Sequence, residues 1–144
     1  MSFFSLIYDK VMSATEAACL REWRRELLAD VEGRVLEIGA GTGASLPFYP
    51  QRADLELFLA EPEPGMRKQL AQRAQTSGRS NITLLSCTAE QIDAADQSFD
   101  VVFVSLVCCS VSDIHQTLSE IRRVLKPDGR FIFLEHVAAE PGSR

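Results

Sequence analysis

Apolar positions along the chain recur with two different spacings, and the alternation between the two predicts an α/β fold. Short apolar runs at 34–38, 55–60, 82–85, 99–105 and 130–137 are typical of buried strands. Between them, apolar residues recur every three or four positions, which indicates amphipathic helices. Because strands that alternate with helices form parallel sheets covered on both faces, we expect a doubly wound, mainly parallel sheet.

Local signals mark the ends of three predicted helices. Ser13 opens a capping box, S-A-T-E, and Gly33 follows the last turn of that helix. The second helix is predicted to begin near Pro64, and the third has Asp113 as its N-cap. The positions expected to face the core are Leu20, Trp23, Leu27 and Val31, then Met66, Leu70, Ala71 and Ala74, and finally Ile114, Leu118, Ile121 and Leu125.

Length and charge restrict the possible functions. The 144 residues predict one domain, with a helical segment at 1–33 and an α/β core at 34–137. A net charge of −5 gives no broad attraction to nucleic acid or to anionic lipid, so we expect a small-molecule partner. With no apolar run of about 20 residues and no secretion signal, the sequence predicts a cytoplasmic protein without an integral membrane segment.

Cysteine spacing gives no indication of a metal site. Cys19, Cys87, Cys108 and Cys109 lack the C-x-x-C spacing of zinc and redox sites, and no other ligand cluster is evident. We therefore expect buried, reduced thiols and no bound metal.

A glycine-rich segment after the first predicted strand can be interpreted in two ways. Gly39-x-Gly41-x-x-Ala44 satisfies the dinucleotide fingerprint, whereas Gly39-x-Gly41-x-Gly43 suits a nucleoside site. Glu61 ends the second strand, 20 positions after Gly41, where a carboxylate can accept hydrogen bonds from a ribose. Both NAD and S-adenosylmethionine carry such a ribose, so these residues alone leave both ligands open.

Further motifs resemble a known family. "VLEIGAGTG", "LAEPEPGM", "TAEQI", "SFDVVFVSLVCCSVSD" and "RVLKPDGRFIFLEH" cover most of Val35 to His136 in order. Together they resemble class I S-adenosylmethionine-dependent methyltransferases, which implies a Rossmann-like fold and methyl transfer to a small-molecule acceptor. "CCSV" and "EHVAAE" are most similar to the branch that methylates alkyl thiols, which implies a thiol acceptor.

The resemblance also implies roles for individual residues. It places Gly39, Ala40 and Gly41 beneath the methionine and ribose parts of S-adenosylmethionine, Glu37 beside that loop and the cofactor amine, and Glu61 on the ribose. It places Pro62, Met66, Ala89 and Glu90 around the adenine, and Ser105 at the reactive end of the cofactor. Thr88 stands where the family commonly has an aspartate.

Methyl transfer chiefly requires alignment of the two reactants, so a dedicated base is not essential. His136, at the end of the fifth predicted strand, is the one titratable candidate for such a role. An NAD-dependent oxidoreductase and a non-catalytic S-adenosylmethionine-binding module are the alternative functions.

The end of the chain suggests an incomplete sheet. Related methyltransferases usually continue beyond the fifth strand, whereas only "AAEPGSR" follows here. We therefore expect a fold truncated after the fifth strand, with an open edge at strand 5 that permits self-association.

Overall fold

Five parallel strands form a single sheet in the order β3-β2-β1-β4-β5. The computed structural model describes residues 18–105 and 111–134. The strands are β1 (Arg34–Ile38), β2 (Glu56–Ala60), β3 (Ile82–Leu85), β4 (Phe99–Ser105) and β5 (Leu125–Leu134). The chain proceeds from β1 outward to β3 and then returns to the other side of β1. In such sheets ligands bind beyond the carboxyl ends of the strands, at the point where the order reverses.

One helix precedes the first strand and two connect later strands, and local capping explains where these two begin. Helix α1 is described over residues 18–28, α2 spans Pro64–Thr76, α3 spans Ile114–Val124, and a short 3-10 helix spans Leu46–Phe48. The Glu63 carboxylate accepts from the N–H groups of Gly65 and Met66 at the start of α2. Asp113 Oδ1 accepts from the Gln116 N–H at 3.0 Å. Both predicted helix starts are therefore confirmed.

Alternate side chains of the central strands bury two separate apolar layers. Val35 packs on one face of the sheet with Leu28 of α1 and Leu70 of α2. Leu36, the next residue of β1, packs on the other face with Ile121 of α3. Helices therefore cover both faces, and the predicted doubly wound α/β class is confirmed.

The fifth strand begins earlier than its sequence predicts. Leu125 already pairs with Phe99, and the register shifts before Val101 pairs with Arg130. Residues 126–129, the "KPDG" segment, lie between these two pairs. They interrupt the hydrogen-bond ladder locally, but the strand has already begun at Leu125. The second strand starts at Glu56 rather than at position 55.

Several predicted core positions are exposed instead. Trp23 keeps 49% of its surface exposed, Ile114 keeps 37% and Leu118 keeps 44%. Helix α3 rests on the sheet through a narrower stripe that includes Thr117 and Ile121. Cys19, expected to be buried, is exposed. The predicted capping box at 13–16, the cysteines at 108–109 and the strand end at 135–137 lie outside the described residues.

Candidate functional site

A crevice of about 510 Å³ opens beyond the carboxyl ends of the first four strands. Its volume falls within the range of small-molecule sites. It is lined by Ile38, Gly39, Gly41, Glu61, Pro62, Glu63, Met66, Cys87, Thr88, Ala89, Glu90, Ser105, Val111 and Ser112. The lining includes eight of the ten residues that the sequence predicts for the cofactor.

The glycine loop after β1 has a backbone that glycine accommodates best. The φ angles of Gly39, Gly41 and Gly43 are 67°, 59° and 95°. A Cβ built at Gly41 would meet no atom within 4 Å, whereas one at Gly43 would lie 3.1 Å from Leu70 Cδ1. Gly43 thus permits close packing on α2, and Gly41 leaves room for close approach of a ligand.

Glu61 fixes this loop from the end of β2. Its side chain is buried, the Gly41 N–H donates to Oε2 at 2.9 Å, and the Glu63 N–H donates to Oε1 at 3.2 Å. A carboxylate has about four acceptor positions, so two remain after these bonds. Glu61 therefore has the capacity to accept two further hydrogen bonds from a ligand in the crevice.

No regular helix follows the glycine loop directly. Residues 41–45 form turns, and the 3-10 helix that follows has only three residues. Dinucleotide folds place the pyrophosphate at the N-terminus of a helix that begins in this loop. The loop geometry therefore favours the nucleoside interpretation of the three glycines.

Glu37 lies behind the loop rather than on the crevice wall. Its side chain is buried, and Oε1 accepts from the Tyr49 hydroxyl at 2.8 Å. Burial raises the pKa of Glu37 to about 7, against the lowering effects of hydrogen bonds from Tyr49 and Ser45 and of the positive charge on Arg24. Ala40 is also buried, and its N–H donates to the carbonyl of Ala60.

Helix α1 brings an arginine to the end of β4. Nη2 of Arg24 donates to Ser105 Oγ at 3.2 Å, across 81 positions of sequence. Nε of Arg24 is buried and has no hydrogen-bond partner within the described parts of the chain. Sequence analysis assigned no role to Arg24, since a helical pattern does not reveal which strand end lies opposite the helix.

The far wall of the crevice is joined to the start of α3. Glu90 Oε1 accepts from the Ser112 N–H at 2.8 Å, and Gln116 Nε2 donates to the Glu90 carbonyl at 3.1 Å. Hydrogen bonds from the N–H of Glu90 itself and, to a lesser extent, from that of Ser112 hold the pKa of Glu90 below its usual range. This wall is therefore fixed in place by contacts between two segments.

Sequence analysis missed three residues that contribute contacts at the site. They are Tyr49, Glu63 and Ser112, which only the fold brings to the crevice or its loop. His136 lies outside the described residues. In residues 18–105 and 111–134, no cluster of three His, Cys, Asp or Glu side chains could hold a metal ion, and no helix is long and apolar enough to cross a membrane.

Comparison with known proteins identifies the class that this fold and crevice define. The methyltransferase domain family matches residues 36–133, and the chain belongs to that family. The resemblance to S-adenosylmethionine-dependent methyltransferases predicted from the motifs is thereby confirmed.

Individual relatives give a finer comparison. The chain is 36% identical over 133 residues to thiol S-methyltransferase TMT1B of Mus musculus, covering 84% of this chain and 53% of that protein. It is 33% identical, over an alignment of 147 positions, to thiol S-methyltransferase TMT1A of Homo sapiens, covering 95% of this chain and 56% of that protein. The crystal structure of YcgJ from Bacillus subtilis superposes with a TM-score of 0.68 at 32% identity, and the match covers 74% of this chain and 45% of that one. The chain thus spans about half the length of each of these relatives.

Proposed function

We propose that the chain binds S-adenosylmethionine in the crevice and transfers its methyl group to a small-molecule thiol. Membership of the methyltransferase domain family supports the cofactor and the reaction. The observation that carries the proposal is the buried Glu61 carboxylate, 2.9 Å from the Gly41 N–H at the crevice wall.

The residues around the crevice fit the proposed cofactor. The two remaining acceptor positions of Glu61 suit the two hydroxyls of a ribose. The open space at Gly41 lets the ligand approach the loop closely, and Pro62, Met66 and Ala89 supply apolar surface for an adenine ring. When bound, S-adenosylmethionine supplies a methyl group on a positively charged sulfur.

The remaining predicted residues complete the proposed binding site. Gly39 and Ala40 shape the floor of the loop, and Glu37 supports it from behind through Tyr49. Glu90 borders the adenine end, and Ser105 lies at the opposite end of the crevice, where the acceptor would enter. Holding both reactants in line would supply most of the rate enhancement.

Thiol acceptors are proposed because two similar proteins are named thiol S-methyltransferases. Their similarity extends over 84% and 95% of this chain. An ionised thiol is a strong nucleophile near neutral pH, so alignment and stabilisation of the thiolate are sufficient for transfer.

A pair of glycine variants tests the binding site. Gly41→Ala and Gly78→Ala both place a Cβ at a left-handed position, with φ of 59° and 75°, and neither Cβ meets an atom within 4 Å. Both variants should therefore lose a similar stability, about 1–2 kcal/mol. Gly41→Ala alone should weaken binding of S-adenosylhomocysteine at least tenfold by calorimetry, because only its Cβ enters the crevice. Equal affinities in the two variants would contradict the assignment of the crevice.

An acceptor panel with labelled S-adenosylmethionine tests the reaction. Small alkyl and aryl thiols should be methylated, and their alcohol analogues should not. Binding of the cofactor without transfer to any thiol, phenol, amine or lipid head group would favour the non-catalytic module. Tighter binding of NADH than of S-adenosylhomocysteine would favour the oxidoreductase.

The cytoplasmic location of the protein stays a prediction, and fractionation of cells that express it provides the test. Self-association through β5 also stays a prediction, and Phe133, which is 59% exposed on that strand, gives the means to test it.

A further inference from the structure

Ser105 and Arg24 meet at the end of the crevice opposite the proposed adenine site. Ser105 is the last residue of β4 and lines the crevice. Phe103 and Val101, two and four positions earlier, face the layer that α1 covers, so strand alternation directs Ser105 toward α1 as well. Arg24 reaches it from that helix through the 3.2 Å hydrogen bond to Oγ.

Within the described residues, the arrangement leaves the hydroxyl proton of Ser105 available to a ligand. A serine hydroxyl donates one hydrogen bond and accepts up to two. Here Oγ accepts from Arg24, and across residues 18–105 and 111–134 its proton has no acceptor. A hydroxyl that accepts from a guanidinium is a stronger donor, because the positive charge polarises the O–H bond.

The charge of Arg24 is only partly balanced by its neighbours. Within the described residues, the charged and titratable groups around it are Glu37 from β1 and Tyr49 after the 3-10 helix, with Arg79 acting on Tyr49 from beyond α2. Burial raises the pKa of Glu37 to about 7 and holds that of Tyr49 well above its usual range. Near neutral pH both groups are largely or partly uncharged, so they compensate the positive charge of Arg24 beside Ser105 only in part.

We propose that the Ser105 hydroxyl donates a hydrogen bond to the sulfur of the acceptor thiolate, and that Arg24 is the positioning residue that orients and polarises it. The inference rests on the thiol acceptor proposed above. The thiol loses its proton to solvent, and the hydrogen bond from Ser105 stabilises the resulting anion. A lone pair of the thiolate then forms the bond to the methyl carbon, and the carbon–sulfur bond of the sulfonium breaks with its electron pair remaining on the departing thioether.

The test measures ionisation of a bound thiol without turnover. Phenylmethanethiol is bound to the protein together with S-adenosylhomocysteine, and its ionisation is followed by ultraviolet absorbance as the pH is raised. Ser105→Ala and Arg24→Met should each raise the pH midpoint by about one unit, a tenfold loss of thiolate below that midpoint. kcat for the same thiol should shift along the pH axis in parallel.

Conservative and control variants separate this role from simple structural damage. Ser105→Thr keeps a hydroxyl and Arg24→Lys keeps a charge, so both should recover most of the lost ionisation. Arg21→Met removes an exposed arginine from the same helix and should leave the midpoint unchanged. Affinity for S-adenosylhomocysteine should change less than about twofold in every variant, since the hydrogen bond is made to the acceptor.

Three results would overturn the inference. An unchanged midpoint in Ser105→Ala, with thiol methylation intact in the wild type, would remove the role of Ser105 and leave the proposed function standing. A tenfold loss of S-adenosylhomocysteine affinity in Arg24→Met with an unshifted midpoint would assign Arg24 to the cofactor. Failure of the wild type to methylate any thiol would reject both the acceptor and this role.

Discussion

Replacing Glu37 with glutamine should change how the stability of the protein depends on pH. Glutamine has nearly the same shape and still accepts the hydrogen bond from Tyr49, so packing and that contact are retained. What the substitution removes is the ionisable proton of a carboxyl group that is only 3% exposed.

The sign and size of the effect follow from the pKa of Glu37. Burial raises that pKa from 4.5 to about 7 in the folded protein. Between these two values the unfolded chain releases its proton while the folded chain keeps it, so the free energy of unfolding decreases as the pH rises. Between pH 5 and pH 8 the wild type should lose roughly 2–3 kcal/mol from this group, whereas the Glu37→Gln variant should lose none of it.

Urea unfolding of both proteins at several pH values between 5 and 8 measures this difference. Trp23, the single tryptophan, reports on α1, and circular dichroism reports on the whole fold. The carboxyls whose pKa values are lowered, such as Asp100 and Glu120, are present in both proteins, so their effects on stability cancel in the comparison. As the pH rises, the free energy of unfolding of the variant should therefore increase relative to that of the wild type.

Two outcomes would refute the reasoning about Glu37. A constant difference between the two proteins from pH 5 to pH 8 would mean that the pKa of the Glu37 carboxyl group is not raised despite burial. A variant that becomes relatively less stable as the pH rises through about 3 to 5, the range in which a lowered pKa acts, would mean that Arg24, Tyr49 and Ser45 outweigh desolvation and favour the charged form.

Three further substitutions test other parts of the structure. Glu61→Gln should weaken S-adenosylhomocysteine binding at least tenfold by calorimetry, because it removes a charged acceptor at the crevice, and unchanged affinity would count against the ribose role. Asp113→Ala should lower the free energy of unfolding by about 1 kcal/mol through loss of the α3 cap, with Asp113→Asn as the control that keeps it. Phe133→Lys should reduce any concentration-dependent increase in mass seen by light scattering, and a wild type that stays monomeric at all concentrations would contradict pairing through β5.

Sequence alone was sufficient wherever the determining interactions are local. β1, β3 and β4 have the predicted bounds because short apolar runs without breakers form buried strands. The start of α2 was predictable because proline favours the first turn of a helix, and that of α3 because the Asp113 cap and its partner Gln116 lie three positions apart. The common location of the glycine loop and Glu61 was predictable because both follow strand ends, which lie at the same edge of a parallel sheet.

Only the tertiary structure decided which side chains surround these local features. The contacts from Arg24 to Ser105 and from Tyr49 to Glu37 join residues 81 and 12 positions apart. They depend on the order of the strands and on the direction in which each helix crosses the sheet. The same dependence explains the exposed Leu118, because a helical pattern identifies an apolar face but does not determine how wide a stripe the sheet will cover. Strand propensity is a local property, whereas the choice of partner across the sheet is made only when the whole chain packs.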